Sequence, residues 1–153
     1  MKESRQAMKE YGGNVFGFDQ FQYSFISDNY RGIIDYDLDK IKIGYIDIET
    51  SSEHGFPDVR NATEEVLAIS YRCGKSFRVY GCQGYEPSED VQFVPCTTEE
   101  HLLLEFVNDW SMNYPDIITG WNSRFFDIPY LCNRIIKICG EDDIKRFEDR
   151  YGR

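Results

Sequence analysis

The chain has no Cys-x-x-Cys pair, and its five cysteines (Cys73, Cys82, Cys96, Cys132, Cys139) are an odd number. That pattern supports neither a structural zinc site nor a disulfide framework. No apolar run approaches the roughly 20 residues needed to span a bilayer. The start, Met1-Lys2-Glu3-Ser4-Arg5-Gln6, lacks the apolar core of a signal peptide. There are only two histidines, His54 and His101, and no serine or carboxylate spacing makes a nucleophilic triad legible, so both are expected at the surface. Repeats and low-complexity tracts are also missing. Basic residues are outnumbered 17 to 27, which gives a net charge of −10. Such a surface is not built to grip a polyanion by counterion release. A nucleic-acid enzyme stays open, because acids clustered at a metal site lower net charge while a partner domain carries the basic groove; simple solubility explains the same balance. These absences predict a soluble chain in a reducing, cytoplasmic compartment, with no membrane partner.

What is present suits a packed domain. A chain of 153 residues buries about 70% of its unfolded surface. Its 11 Phe, 11 Tyr and 2 Trp supply large core side chains. Residues 1–20 are polar and glycine-punctuated, with a possible short helix at 2–10. Strands are expected at 21–26 and 32–36, then at 41–49, 66–71, 77–80 and 91–94, with 66–71 and 77–80 joined by a turn at Cys73-Gly74-Lys75. Thr97 with Glu100 fits a capping box for a helix whose stripe is Leu103, Phe106, Val107, Trp110 and Tyr114, stopped by Pro115. A short strand at 117–121 follows. A second helix begins near Asp127, with Pro129 in its first turn, a stripe of Ile128, Leu131, Ile135 and Ile138, and Gly140 at its end. Cys132 and Cys139 fall on apolar positions of this helix as buried thiols. The charged tail, with Lys145, Arg146, Arg150 and Arg153, is expected to fray. This order makes an α/β fold: a mixed sheet flanked by helices, compatible with a ribonuclease-H-like architecture and with many others.

Tyr45-Ile46-Asp47-Ile48-Glu49-Thr50 places two carboxylates inside a core-type strand. Residues i and i+2 share a face, so Asp47 and Glu49 project together and Ile46 and Ile48 face the other way. Unpaired carboxylates beside apolar residues are costly to desolvate. A divalent cation offsets that cost, and oxygen ligands suit Mg²⁺ or Mn²⁺. A strand end where both acids reach water fits the hexapeptide equally well.

The second unusual segment is Gly120-Trp121-Asn122-Ser123-Arg124-Phe125-Phe126-Asp127-Ile128-Pro129-Tyr130. Asp127 stands where a helix begins, and an N-cap role alone would explain it at about 1 kcal/mol. Asn122 adds a donor and an acceptor. Phe125 and Phe126 are adjacent, so one of them can remain open to stack on a nucleobase; packing beneath the helix is the commoner fate.

Asp47-x-Glu49-Thr50 followed by Asn122-x-x-x-Phe126-Asp127 resembles the first two exonuclease motifs of family B DNA polymerases. Thr119-Gly120-Trp121-Asn122 through Tyr130 is most similar to the replicative polymerases of large tailed phages. The resemblance covers most of residues 21–153. It implies a proofreading 3′→5′ exonuclease of the DEDD type, releasing deoxynucleoside monophosphates from a single-stranded 3′ end. It implies two metal ions, Mg²⁺ or Mn²⁺, held by Asp47, Glu49 and Asp127, with Thr50, Asn122 and Phe126 on the DNA. Implied partners are the primer-template, the rest of a polymerase and, through that rest, a sliding clamp; the compartment becomes the host cytoplasm.

The family's third motif, Tyr-x-x-x-Asp, has no counterpart after Asp127; Asp142, Asp143 and Asp149 stand in another context. The ribonuclease-H-like fold is therefore expected to be incomplete at its C-terminus. Residues 1–40 are expected to end an N-terminal polymerase domain and 41–153 to begin the exonuclease domain. The chain reads as a piece of a larger polymerase with little or no nuclease activity alone. Two alternatives remain: a fragment of a stand-alone DEDD nuclease, disfavoured by the Gly120-Trp121-Asn122 context, and a non-catalytic ribonuclease-H-like binding module, disfavoured by the intact acids.

Overall fold

The computed structural model describes residues 21–33, 35 and 37–148. The chain divides into two compact units between Asp37 and Leu38. In the first, the described residues form one helix, α1 (Phe21–Asn29). This corrects the strand expected at 21–26. The alternating aromatics Phe21, Tyr23 and Phe25 imitate a strand, but among the described residues no strand lies beside them, and a helix satisfies its own backbone. Its end is tied by Tyr30 N–H to Ile26 C=O (2.9 Å) and Asn29 Nδ2 to Phe25 C=O (2.8 Å). The described part of 32–36 is not a strand. The helix expected at 2–10 lies outside the described residues.

The second unit runs β1 (Ile43–Thr50), β2 (Val66–Cys73), β3 (Ser76–Gly81), β4 (Gln92–Pro95), α2 (Glu99–Met112), β5 (Ile117–Thr119), α3 (Asp127–Ile138) and α4 (Glu141–Glu148). The sheet order is β4-β3-β2-β1-β5. β1, β2 and β3 are antiparallel neighbours, while β4 and β5 run parallel to β3 and β1. This is the mixed α/β sheet with helices that the element order leads one to expect. Gly74, at φ +59°, opens a two-residue loop between β2 and β3, where a left-handed first residue suits the twist of the strands.

One face of the sheet holds the core. Ile46 and Ile48 of β1, Ile69 and Tyr71 of β2 and Tyr80 of β3 are buried there. Against them pack Leu102, Leu103, Phe106, Val107 and Trp110 from α2, and Ile128, Leu131 and Ile135 from α3. Tyr114, expected on the α2 stripe, lies past the helix end and is exposed. The α2 cap is one residue later than expected: Thr98 Oγ1 accepts from His101 N–H (3.2 Å). His101 Nδ1 in turn accepts from Thr97 N–H (3.2 Å), so histidine takes the reciprocal part assigned to Glu100.

The tail is a correction too. Gly140, at φ +107°, ends α3, its N–H reaching Ile135 C=O (3.0 Å). The chain then forms α4 against α2 and α3. Ile144 and Phe147 are buried, and Phe147 meets Trp110 at 4.8 Å and Phe106 at 5.8 Å between ring centroids. Two apolar residues three apart on a charged segment suffice for a one-sided helix. Cys132 and Cys139 are half-buried, and burial pushes the Cys139 thiol up to about 11. Phe147→Ala should cost about 3–5 kcal/mol in denaturant unfolding; a frayed end would change it by less than about 0.5 kcal/mol.

Candidate active site

β1 alternates inward Gly44, Ile46 and Ile48 with outward Tyr45, Asp47 and Glu49. Asp47 and Glu49 thus stand side by side on the exposed face. Thr50 follows, half-buried, where the register with β2 slips by one residue between Glu49 and Thr50. Such a bulge re-aims the strand end.

β5 pairs with β1 only as far as Tyr45↔Thr119. Beyond that point Gly120 turns the chain across β1. A Cβ there would lie 2.3 Å from the Ile46 carbonyl oxygen, so no other residue fits without displacing the backbone. Asn122 is exposed, and its carbonyl accepts from Phe125 N–H (3.0 Å) and Phe126 N–H (2.8 Å), closing a turn into α3. Asp127 is the first residue of α3, not its cap. Its Oδ1 accepts from Ile48 N–H (3.1 Å), on the edge of β1 that β5 has left uncovered.

Asp127 is buried, at 3% exposure. Its carboxyl is held above its ordinary value, chiefly by desolvation; the Ile48 N–H and its own N–H pull it down, and the charges of Asp47 and Glu49 push it up again. The three acids therefore share one electrostatic field, and among the described residues none is ion-paired with a cation. Donor type and unneutralised charge both fit hard divalent ions. The side chains as placed do not close into a chelate: among the described residues no three His, Cys, Asp or Glu groups converge closely enough to hold a metal ion. The observations differ in range, since like charges repel across several ångströms more than a coordination bond spans.

Phe126 is half-buried and stacks on Tyr130 (5.4 Å). Its other neighbour is Phe56, 91% exposed, at 6.2 Å. Phe125 is the open member of the pair, with the Arg124 guanidinium 5.4 Å from its ring centroid. Phe56 does not stand out in the sequence; a lone phenylalanine beside Gly55 and Pro57 in a polar loop is the available signal. His54, beside it, is surface-exposed as expected and pairs with buried Glu64 (3.2 Å).

A buried ion pair also escapes a reading of the sequence. Arg134 Nε and Nη2 donate to the two oxygens of Glu99, each at 2.6 Å. Arg134 Nη1 reaches Ala62 C=O (2.8 Å) and Thr63 C=O (3.0 Å), and Glu99 Oε1 accepts from Val66 N–H (2.7 Å). Tyr130 donates to Glu64 C=O (2.7 Å). The available signal is Arg134 itself, a charge standing on the apolar stripe between Leu131 and Ile138.

Residues 18–152 match the model of the DNA polymerase family B exonuclease domain, and the chain belongs to that family; its mixed sheet with flanking helices is consistent with the ribonuclease-H-like class. It is 34% identical to the DNA-directed DNA polymerase of Escherichia phage RB69 over 91% of this chain and 18% of the relative. It is 31% identical to that of Enterobacteria phage T4 over 96% and 20%. The DNA polymerase catalytic subunit of human herpesvirus 6B is 33% identical over 60% and 10%. The chain thus spans about a fifth of the length of the phage polymerases it matches.

Arg134→Met should destabilise by about 3–5 kcal/mol, because it strands the buried Glu99 charge; chemical unfolding measures this. A second outcome concerns pH. The folded protein binds the Asp127 proton more tightly than the unfolded chain does. In chelator, its contribution to stability is fully present below the ordinary value of 3.8 and is lost as pH rises through the raised folded value. The stability difference between wild type and Asp127→Asn should therefore shift in favour of Asn over that window. A pH-independent difference would contradict it.

Proposed function

We propose that this chain carries the acidic part of a 3′→5′ proofreading exonuclease site within a family B DNA-directed DNA polymerase. Asp47, Glu49 and Asp127 would hold two divalent ions, Mg²⁺ or Mn²⁺. When bound, such a pair supplies an activated water and stabilises charge on the attacking and leaving oxygens of an in-line displacement at phosphorus. The chain's own residues bind and position. Asp127, pinned by Ile48 N–H, fixes the α3 side of the site against β1. Thr50 and Asn122 supply polar contacts to a frayed 3′ end, and Phe126 with exposed Phe56 offers an apolar surface for its terminal base. A mismatched terminus unpairs at little cost, so it reaches such a site more often than a matched one. The substrate is single-stranded DNA or a frayed primer-template, and the product a deoxynucleoside monophosphate. We place residues 1–40 at the end of an N-terminal domain and 41–153 in the exonuclease domain, with the remaining polymerase and a sliding clamp as partners in the host cytoplasm.

The observation that carries this reading is the uncompensated field of Asp47 and Glu49 on buried Asp127. One observation favours the non-catalytic alternative: the acids do not converge into a chelate. With no Tyr-x-x-x-Asp after Asp127, this chain alone is expected to turn over a single-stranded primer far more slowly than a complete site.

Metal binding separates the readings without needing turnover. Mn²⁺ at a hundredfold excess over its Kd should stabilise the protein by about 2.7 kcal/mol, a rise in Tm of roughly 5–10 °C. Asp47→Asn with Asp127→Asn should abolish the rise, and Asp142→Asn should keep it. A Tm indifferent to Mn²⁺ would select the binding module.

A further inference from the structure

We propose that Cys82 and Cys96 form a reversible disulfide by thiol exchange with a low-molecular-weight disulfide such as oxidised glutathione, stapling the connection between β3 and β4. The pair is set by internal strand register, whichever faces of the chain are open, and owes nothing to the exonuclease reading. β3 and β4 run parallel, and their last two pairs are Tyr80↔Val94 and Gly81↔Pro95. Cys82 and Cys96 are the next residue on each side. Cys96 N–H donates to Gly81 C=O (2.9 Å), so the two segments are still joined at this step. Facing positions on neighbouring strands stand about 4.8 Å apart, within the roughly 4.4–6.8 Å between Cα atoms that a disulfide spans. Each cysteine follows a core-facing residue by two: Tyr80 is buried, and Val94 packs against the core. Strand alternation therefore turns both thiols to one side, where Cys96 is buried. Burial first, and then charge on Cys82, pushes the Cys96 thiol up. By contrast, Cys132 and Cys139 are seven positions apart on α3 and its cap, about 10.5 Å by helical rise, too far to bridge. Cys73 sits at the opposite end of the β2–β3 ladder, paired with Ser76.

The crossing between these strands is short. Parallel neighbours ordinarily need a dozen or more residues, usually with a helix. Here residues 82–91 make the crossing with neither helix nor strand, and β4 has only four residues. Val91 N–H reaches Ser88 C=O (3.0 Å), and Tyr85 meets Phe93 at 5.7 Å between ring centroids. Beyond Cys96, Glu99 opens α2 and holds Arg134. A bond between Cys82 and Cys96 closes the crossing into a ring and fixes the entry to α2. In the exchange, the Cys82 thiolate attacks one sulfur of oxidised glutathione; that S–S bond breaks and one glutathione thiolate leaves. The Cys96 thiolate then attacks the Cys82 sulfur, forming the protein S–S bond and releasing the second glutathione. Two protein thiols are oxidised, one small disulfide is reduced, and the two cysteine protons end on the two glutathione thiols.

The test treats the full chain with oxidised glutathione at about pH 8.5, near the ordinary thiol value, and counts thiols in denaturant. The five thiols should fall to three with no glutathione retained, and peptide mass mapping should join the segments holding Cys82 and Cys96. Closing a ring of about 15 residues should raise Tm by roughly 6–12 °C and slow proteolysis within 83–91. Dithiothreitol should reverse both effects. Cys82→Ser should abolish all of these changes, and Cys132→Ser should keep them. Cys82 lies outside the core, so the reduced Cys82→Ser variant should melt with wild type. Five thiols remaining, glutathione retained on Cys82 beside a free Cys96, a bond to Cys73, Cys132 or Cys139, or a link between two chains overturns the pair. A mapped bond between Cys82 and Cys96 that leaves Tm and proteolysis unchanged overturns the staple.

Discussion

The hydrogen bond from Ile48 N–H to Asp127 Oδ1 is the joint on which the site depends. β5 contributes only three residues to the sheet, so the edge of β1 would otherwise be open beside the core just where its acids stand. A buried N–H left without an acceptor costs about 1–3 kcal/mol. The sequence answers this not with more strand but with a carboxylate carried on the first turn of a helix. Gly120 makes that possible by letting the chain cross the Ile46 carbonyl at a distance no side chain tolerates. Asp127 therefore has a structural bond and a charge in the same group. Removing the oxygen and removing the charge are different perturbations, and only the second leaves the joint intact.

A second network decides where α3 lies. Glu99 opens α2, Arg134 sits mid-way along α3, and the loop from Ala62 to Val66 leads into β2. Two charge-assisted bonds join the helices, and three more tie them to the loop backbone. Ala62 is held at φ +40° there, a left-handed conformation that costs a non-glycine residue of order 1–3 kcal/mol. It persists because its carbonyl is claimed by Arg134 and its N–H by Asp58 C=O (2.8 Å). Buried ion pairs of this kind add little net stability but resist mispairing. Here the pair sets the register between the helix bearing Asp127 and the sheet bearing Asp47 and Glu49.

Residues whose role is local are readable in the sequence. The period of two in Ile46, Asp47, Ile48 and Glu49 assigns faces to β1, and Pro115 and Gly140 bound their helices. What escapes depends on partners far along the chain. Nothing near Phe147 announces Trp110, and nothing near Glu99 announces Arg134. The α1 segment misleads for the opposite reason: its aromatics alternate like a strand, but among the described residues no strand pairs with it, and a helix satisfies its own backbone. Asp127 is the mixed case. Its place at a helix start is legible, but its acceptor role toward Ile48 requires knowing that β5 stops at Thr119.

Charge explains why the site resists closing by itself. Three carboxylates in one field, with no paired cation among the described residues, repel, and burial of Asp127 deepens that penalty. The outward pair relieves it by staying in water, where Coulomb interactions at a few ångströms fall to about 1 kcal/mol. On the proposed metal reading, a conformation that brings all three together is disfavoured until positive charge arrives, and is then favoured by the attraction of each acid to that charge. The splayed acids and the uncompensated field are two consequences of one electrostatic condition. The acidity of the chain as a whole works in the same direction, since it disfavours polyanion binding everywhere that cations or metal ions do not locally reverse the sign.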